Sequence, residues 1–180
     1  MDITELTEVI AMRNIMVVGD VMLDEYQWGN VRGISPEAPV PVVEVRHQSW
    51  ALGGAANVAV NLASLGSKVW LAGAVGSDTP ASKISELFLQ VPAISTHLYQ
   101  CYDRPTTTKT RIIAHGHQIL RTDREERHPI STQVETDIIS WVHERLYNLH
   151  VCILSDYAKG VLTEHLLSAL ITMCRKPTFR

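Results

Sequence analysis

Between Gly53 and Gly76 the chain writes out a helix and then a buried strand, a succession that points to a layered α/β fold. Gly53-Gly54 leads into Ala55, Ala56, Ala59, Val60, Leu62, Ala63 and Leu65, which are small or apolar, and Gly66 stops the run. Lys68 to Val75 then reads as a buried strand, and Gly76-Ser77-Asp78 turns into another helix. Paired glycines at a helix start bring main-chain N–H groups close to whatever lies there, and Asn57, one turn in, adds a side-chain amide. Alone, such glycines suit tight helix–sheet packing equally well.

The same alternation runs through the rest of the chain. Ile3 to Met12 has helical spacing, and Asn14 to Gly19 is a short apolar run ending in Gly-Asp, as expected of a parallel strand meeting a ligand at its carboxyl end. Tyr26 to Trp50 breaks the pattern with Pro36, Pro39 and Pro41 and an alternating stretch, Val42 to Arg46, and reads as an inserted β flap. Thr107 to Ala114 and Gln118 to Thr122 form a strand pair around the turn His115-Gly116-His117. Apolar residues recur at helical spacing from Thr132 to Leu149; Val151 to Leu154 is a buried strand, and Thr163 caps a helix running to Cys174. The expected architecture is α/β, with right-handed crossovers on a doubly wound, mainly parallel sheet, plus a small β lid.

Composition excludes several classes. The 180 residues are 46% hydrophobic and 19% charged, which suits one globular domain or part of a larger one. A net charge of −3 argues against broad nucleic-acid or anionic-membrane binding, although Lys109, Arg111, Arg121 and Arg124 concentrate positive charge in one stretch. No run approaches the ~18 apolar residues of a membrane span. The first dozen residues carry Asp2, Glu5 and Glu8 and no basic start, so no secretory signal is expected. Cys101, Cys152 and Cys174 are widely spaced among apolar residues, as buried reduced thiols of a cytoplasmic protein are. His115 and His117 have no third ligand nearby and belong to a turn, so no metal site is expected. Trp28, Trp50, Trp70 and Trp141 read as packing residues.

The spacing Gly-Gly-Ala-Ala-Asn-x-Ala, six residues, Gly, nine residues, Gly resembles the first signature of the ribokinase, or PfkB-type, family of carbohydrate kinases. Four further stretches fall in the order seen in the heptose-7-phosphate kinases that feed ADP-heptose synthesis: Val17 to Tyr26 with Ile34 to Val42, Thr106 to Arg111, Gln118 to Asp123, and Ser155 to Gly160. The resemblance covers residues 12–174. It implies that residues 1–180 form the N-terminal part of one ribokinase-like carbohydrate kinase domain, with lid segments at about 25–50 and 105–123.

The roles of the site residues are likewise implied by the resemblance. Gly53, Gly54 and Asn57 hold sugar hydroxyls. Asp24 stands where these kinases keep a sugar-binding aspartate, and a carboxylate can accept two hydroxyl protons at once. Asp20 is a second candidate, with an ordinary Asx-turn as the other reading. Lys109 and Arg111 share one face of a predicted strand, where an anion such as a sugar 7-phosphate would relieve their repulsion; without the resemblance they would read as a solvated face. Arg121 and Asp123 share a face and orient one another. Asp156 orients the sugar and Lys159 meets a phosphate, or both belong to a capping turn closed by Gly160. Thr79-Pro80-Ala81 replaces a glycine that the family usually places near the start of its helix, though Pro80 is acceptable in a first helical turn.

ATP and Mg²⁺ are the cofactors implied for a complete enzyme, and the anomeric hydroxyl of a heptose 7-phosphate is the acceptor, on the way to lipopolysaccharide core precursors. A homodimer through the β lid is the implied partnership. The Gly-Ala-Gly-Asp run that carries the family's catalytic base does not occur in this sequence. The expectation is therefore a sugar-binding half of a kinase, inactive alone; a non-catalytic sugar-phosphate-binding module and an interaction fragment are the other readings. Lys176 to Arg180 stand where a further strand is expected to begin.

Overall fold

The computed structural model describes residues 2–175. In chain order the elements are α1 (Ile3–Ala11), β1 (Asn14–Gly19), β2 (Val21–Ile34), β3 (Pro41–Gly54), α2 (Ala55–Ser64), β4 (Lys68–Gly76) and α3 (Thr79–Phe88). They continue as β5 (Ile94–Cys101), β6 (Thr107–Ala114), β7 (His117–Arg124), α4 (Thr132–His143), β8 (Val151–Ser155) and α5 (Glu164–Cys174). The strand expected to begin near Lys176 lies outside the described residues.

Four strands make a parallel sheet in the order β5-β4-β1-β8. Period-two alternation decides which layer each side chain enters. Ile15 and Val17 of β1 and Val69 and Leu71 of β4 join Ala55, Ala56 and Ala59 of α2 and Ile84 and Phe88 of α3 in one core. Met16, Val18, Ala72 and Ala74 point the other way, into a core with Ile138 and Val142 of α4 and Leu166 and Leu170 of α5. Helices therefore cover both faces, which is why β1 is apolar at consecutive positions rather than alternating. The fold is the expected doubly wound α/β type.

The second sheet, in the order β3-β2-β6-β7, is the lid. It is larger than expected. The strands β2 and β3 are 14 residues each and begin and end against the core, at Val21 and Gly54, well outside the 25–50 segment. Here β6 runs parallel to β2, and β7 returns antiparallel through His115 and Gly116, whose φ values of 51° and 77° suit a tight hairpin turn. Three further features depart from the sequence reading. The helix from Thr132 stops at His143, and Leu146–Asn148 is a separate 3₁₀ turn. The strand β5 has no counterpart in the sequence reading. Trp28 and Trp50 also lie more than a third exposed rather than packed away. No helix among the described residues is long and apolar enough to cross a membrane.

From β1 the chain moves outward through β4 to β5 and later returns as β8 on the other side of β1. Such a reversal opens a crevice at the strands' carboxyl ends, where α/β proteins place ligands. Asp20 spans it. Only 1% exposed, its carboxylate accepts N–H bonds from Tyr157 (2.8 Å), Lys159 (3.1 Å) and Val161 (3.2 Å), pinning the loop after β8 to the end of β1. Its carbonyl also accepts from the N–H of Ala55, the first residue of α2. Replacing Asp20 by Ala leaves three partly buried N–H groups without that acceptor. Urea unfolding is expected to show a loss of about 3 kcal/mol for Asp20→Ala and a smaller loss for Asp20→Asn. Equal stability of wild type and Asp20→Ala would contradict this role.

Candidate functional site

The candidate residues gather on one face of the lid where it meets the central sheet. In cross-strand register Asp24 lies beside Lys109 and Lys109 beside Asp123; one row further out, Tyr26, Arg111 and Arg121 are neighbours. Alternate residues of each strand point the same way, so the sequence pattern Asp24-x-Tyr26, Lys109-x-Arg111 and Arg121-x-Asp123 produces one charged face. Arg111 donates to Asp24 Oδ1 at 2.6 Å and lies over the Tyr26 ring, 5.2 Å from its centroid. Lys109 donates to Asp123 Oδ2 at 2.9 Å, and Arg121 grips the same carboxylate at 2.8 Å. Arg121 and Asp123 thus orient one another, as their shared face suggests.

The repulsion between Lys109 and Arg111 is relieved within the protein. Each has its own carboxylate, so neither needs a ligand to be stable where it stands. Each keeps donors to spare, since an ammonium has three N–H groups and a guanidinium five.

Gly53 explains the placement of Asp24. A side chain at position 53 would put its Cβ 2.7 Å from Asp24 Oδ2, so only glycine lets the carboxylate lie against the β3 backbone. Gly54, at φ 57°, then turns the chain directly into α2. Three residues into that helix Asn57 is exposed, and its side chain has no hydrogen-bond partner among the described residues.

Glu125 sits at the centre of the charged face, although the sequence reading passed over it. Its Oε2 is 2.8 Å from Lys159 Nζ and 3.7 Å from Lys109 Nζ, and its Oε1 accepts from Arg127 at 2.8 Å. The hydrogen bond from Lys159, then that from Arg127, holds its carboxyl down at about 2. Lys109 likewise holds Asp123 below the ordinary carboxylate range. The only signal in the sequence was the position of Glu125 just past β7, two residues after Asp123.

Three expected ligand groups have other occupations. Asp20, expected among the sugar-binding groups, uses both oxygens on backbone amides of the loop after β8. Asp156 is exposed and accepts from its own neighbour, Ala158 N–H, at 2.8 Å, so the Asx-type turn is the one formed. Lys159 is engaged by Glu125, with its side chain 12% exposed. The loop that carries it is fastened a second time by buried Arg104, which donates to the carbonyls of Lys159 and His128.

The comparisons with known proteins fit this geometry. Residues 12–179 match the pfkB family carbohydrate kinase. The chain belongs to that family. Curated relatives named bifunctional protein HldE are 44% identical over 155 residues in Trichlorobacter lovleyi and 43% identical over 169 residues in Helicobacter pylori. Those matches cover 86% and 92% of this chain but 32% and 36% of the relatives, so the chain spans about a third of the length of the curated relatives it matches. Among solved structures, a possible 1-phosphofructokinase from Thermotoga maritima superposes with a TM-score of 0.68 at 16% identity, over 90% of this chain and 50% of that one. The tetrameric inhibited form of phosphofructokinase-2 from Escherichia coli gives 0.66 at 17%, over 94% and 53%. These likenesses establish the fold.

Among the described residues of this pfkB chain no three His, Cys, Asp or Glu side chains converge on a metal position. The acidic groups of the lid face are already engaged by lysines and arginines, so the face does not fit Mg²⁺, and no step through that ion is assigned to it.

Because the folded-state pKa of Glu125 lies below its ordinary value of 4.5, its ion pairs add stability that is complete above that pH and disappears as pH falls through about 2. Glu125→Gln is expected to show a flatter dependence of unfolding free energy on pH across this window, measured by urea denaturation. An unchanged acid limb would contradict the pairing.

Proposed function

We propose that this chain is the acceptor-binding part of an ATP-dependent sugar kinase that phosphorylates the anomeric hydroxyl of a heptose 7-phosphate, a step toward ADP-heptose and the lipopolysaccharide core. One observation carries the reading: Asp24, laid against the glycine backbone at Gly53 and clamped by Arg111, presents a fixed carboxylate, and Asn57 stands exposed and unpartnered in the first turn of the helix that follows Gly54. A carboxylate held in this way is prepared to accept two sugar hydroxyls without first giving up rotamer freedom.

The charge count supports a phosphorylated acceptor. Lys109, Arg111, Arg121, Arg127 and Lys159 face three carboxylates, those of Asp24, Asp123 and Glu125. Two positive charges are left over, and a phosphate would take them up through the spare donors of Lys109 and Arg111. Since phosphoryl transfer rests on positioning and charge stabilisation, the chain's share is to hold the sugar, and the 180 residues alone bind without turnover. ATP and Mg²⁺ belong to the complete enzyme in this reading, in the cytoplasm.

The lid's other face supports pairing with a second copy. Val40, Pro41, Val43, Val45, Ile112 and Leu120 line an apolar hollow of about 580 Å³ near its tip, and Leu120 is 52% exposed. Face-to-face packing of two lids would cover it.

Calorimetry with the purified chain is expected to show heptose 7-phosphate binding more tightly than the unphosphorylated heptose, with no heat of turnover when ATP is added. Asp24→Asn should weaken both sugars about tenfold to a hundredfold, while Lys109→Ala with Arg111→Ala should abolish the preference for the phosphate. Equal affinity of wild type and Asp24→Asn would overturn the assignment. For the lid, sedimentation should show a dimer that Leu120→Glu converts to monomer; a monomeric wild type would exclude the pairing.

A further inference from the structure

Among the described residues β8 is an edge strand of the central sheet, and one of its cysteines shares a cavity with a cysteine of α5, a pair of thiols that the sugar-binding reading does not use. Cys152 is the second residue of β8 and Cys174 the last of α5. Both are partly buried, where the sequence led us to expect buried thiols, and both line one cavity of about 230 Å³ with Leu154, Leu170, Ile171 and Arg175. The proton affinity of each thiol responds to the other. Cys101 is buried in β5, at the opposite edge of the sheet, so the pair is separate from the third thiol. Among the described residues no group of three metal-binding side chains forms around them.

The pair is asymmetric. The hydrogen bond between the thiols and then burial push Cys152 up, keeping it protonated. The same bond lowers the Cys174 thiol, which favours its thiolate as the attacking group. Cys174 also stands at the mouth of a helix end, next to exposed Arg175.

We propose that Cys174 and Cys152 act as a nucleophile and a resolving thiol, which accept oxidation from a small-molecule disulfide and close a bond between β8 and the end of α5. In the first step the Cys174 thiolate attacks one sulfur of the disulfide RSSR. That bond breaks, a mixed disulfide forms on Cys174, and RS⁻ leaves and is protonated by water. Cys152 then gives its proton to solvent and attacks the Cys174 sulfur, expelling the second RS⁻. Two protein thiols are oxidised to a cystine and RSSR is reduced to two RSH.

The closed ring would enclose residues 152–174, which include the turn through Lys159 and the Thr163 cap of α5. Oxidation would thus tether the segment that supplies Lys159 to Glu125. The inference stands on the thiol geometry and does not depend on which sugar the lid face binds.

The test is incubation of the reduced chain with oxidised glutathione, followed by intact mass measurement and peptide mapping. Wild type is expected to lose two hydrogens, with a cross-link joining the Cys152 and Cys174 peptides that dithiothreitol reverses. Cys152→Ser should instead accumulate glutathione on Cys174, and Cys174→Ser should leave Cys152 unmodified. Because the wild type alone gives the primary readout, a folding defect in either variant does not remove the test. A wild type that stays reduced, that holds glutathione on Cys174 without closing the bond, or that cross-links only between chains would overturn the proposal.

Discussion

The cations on one half-buried face of this protein can share it only because carboxylates from two strands and a loop are interleaved with them. Two like charges about 4 Å apart cost about 4 kcal/mol at the effective dielectric of a protein surface, so the face must be laid out with alternating sign or it would drive the lid open. Asp24, Asp123 and Glu125 provide that alternation. The arrangement also fixes the lid's register: a slip of one residue in β6 would send Lys109 and Arg111 to the opposite face, leaving Asp24 without its partner and Asp123 with Arg121 alone. The same pairs that stabilise the lid therefore hold its proposed binding groups in place.

Much of the fold could be read from the sequence because its central strands are apolar on both faces and its helices carry their own caps. Asp78, Ser131 and Thr163 each accept an N–H bond at the start of a helix. What escaped was governed by neighbours rather than by local pattern. The strand β5 is an edge strand with a mixed sequence, Ile-Ser-Thr-His-Leu-Tyr-Gln-Cys, so it lacks the apolar run that marks β1, β4 and β8. The lid strands are long but half exposed, and only the Val42–Arg46 stretch alternates cleanly enough to show. In α4 the apolar spacing continues to Leu149 although the helix ends at His143, because Leu146 and Leu149 are buried from a 3₁₀ turn.

The site divides in a similar way. Gly53, Asp24, Lys109, Arg111, Arg121 and Asp123 carry their spacing in the sequence, and the structure brings them onto one connected face. Glu125 could not be recognised locally, since its partners Lys109, Lys159 and Arg127 come from three places in the chain. Asp20 looked like a ligand group because it follows a buried strand and a glycine. Its oxygens instead join the loops on either side of the sheet's reversal, a duty visible only once β8 is known to lie beside β1.

The central claim is that the corner between Asp24, Gly53 and Asn57 is shaped to receive a sugar. A crystal structure of the chain soaked with heptose 7-phosphate tests it most directly. The account predicts two ring hydroxyls on the Asp24 carboxylate, the Asn57 amide against the same ring, and the phosphate on Lys109 and Arg111. Density for the sugar elsewhere, or a corner closed by the protein's own side chains, would contradict it.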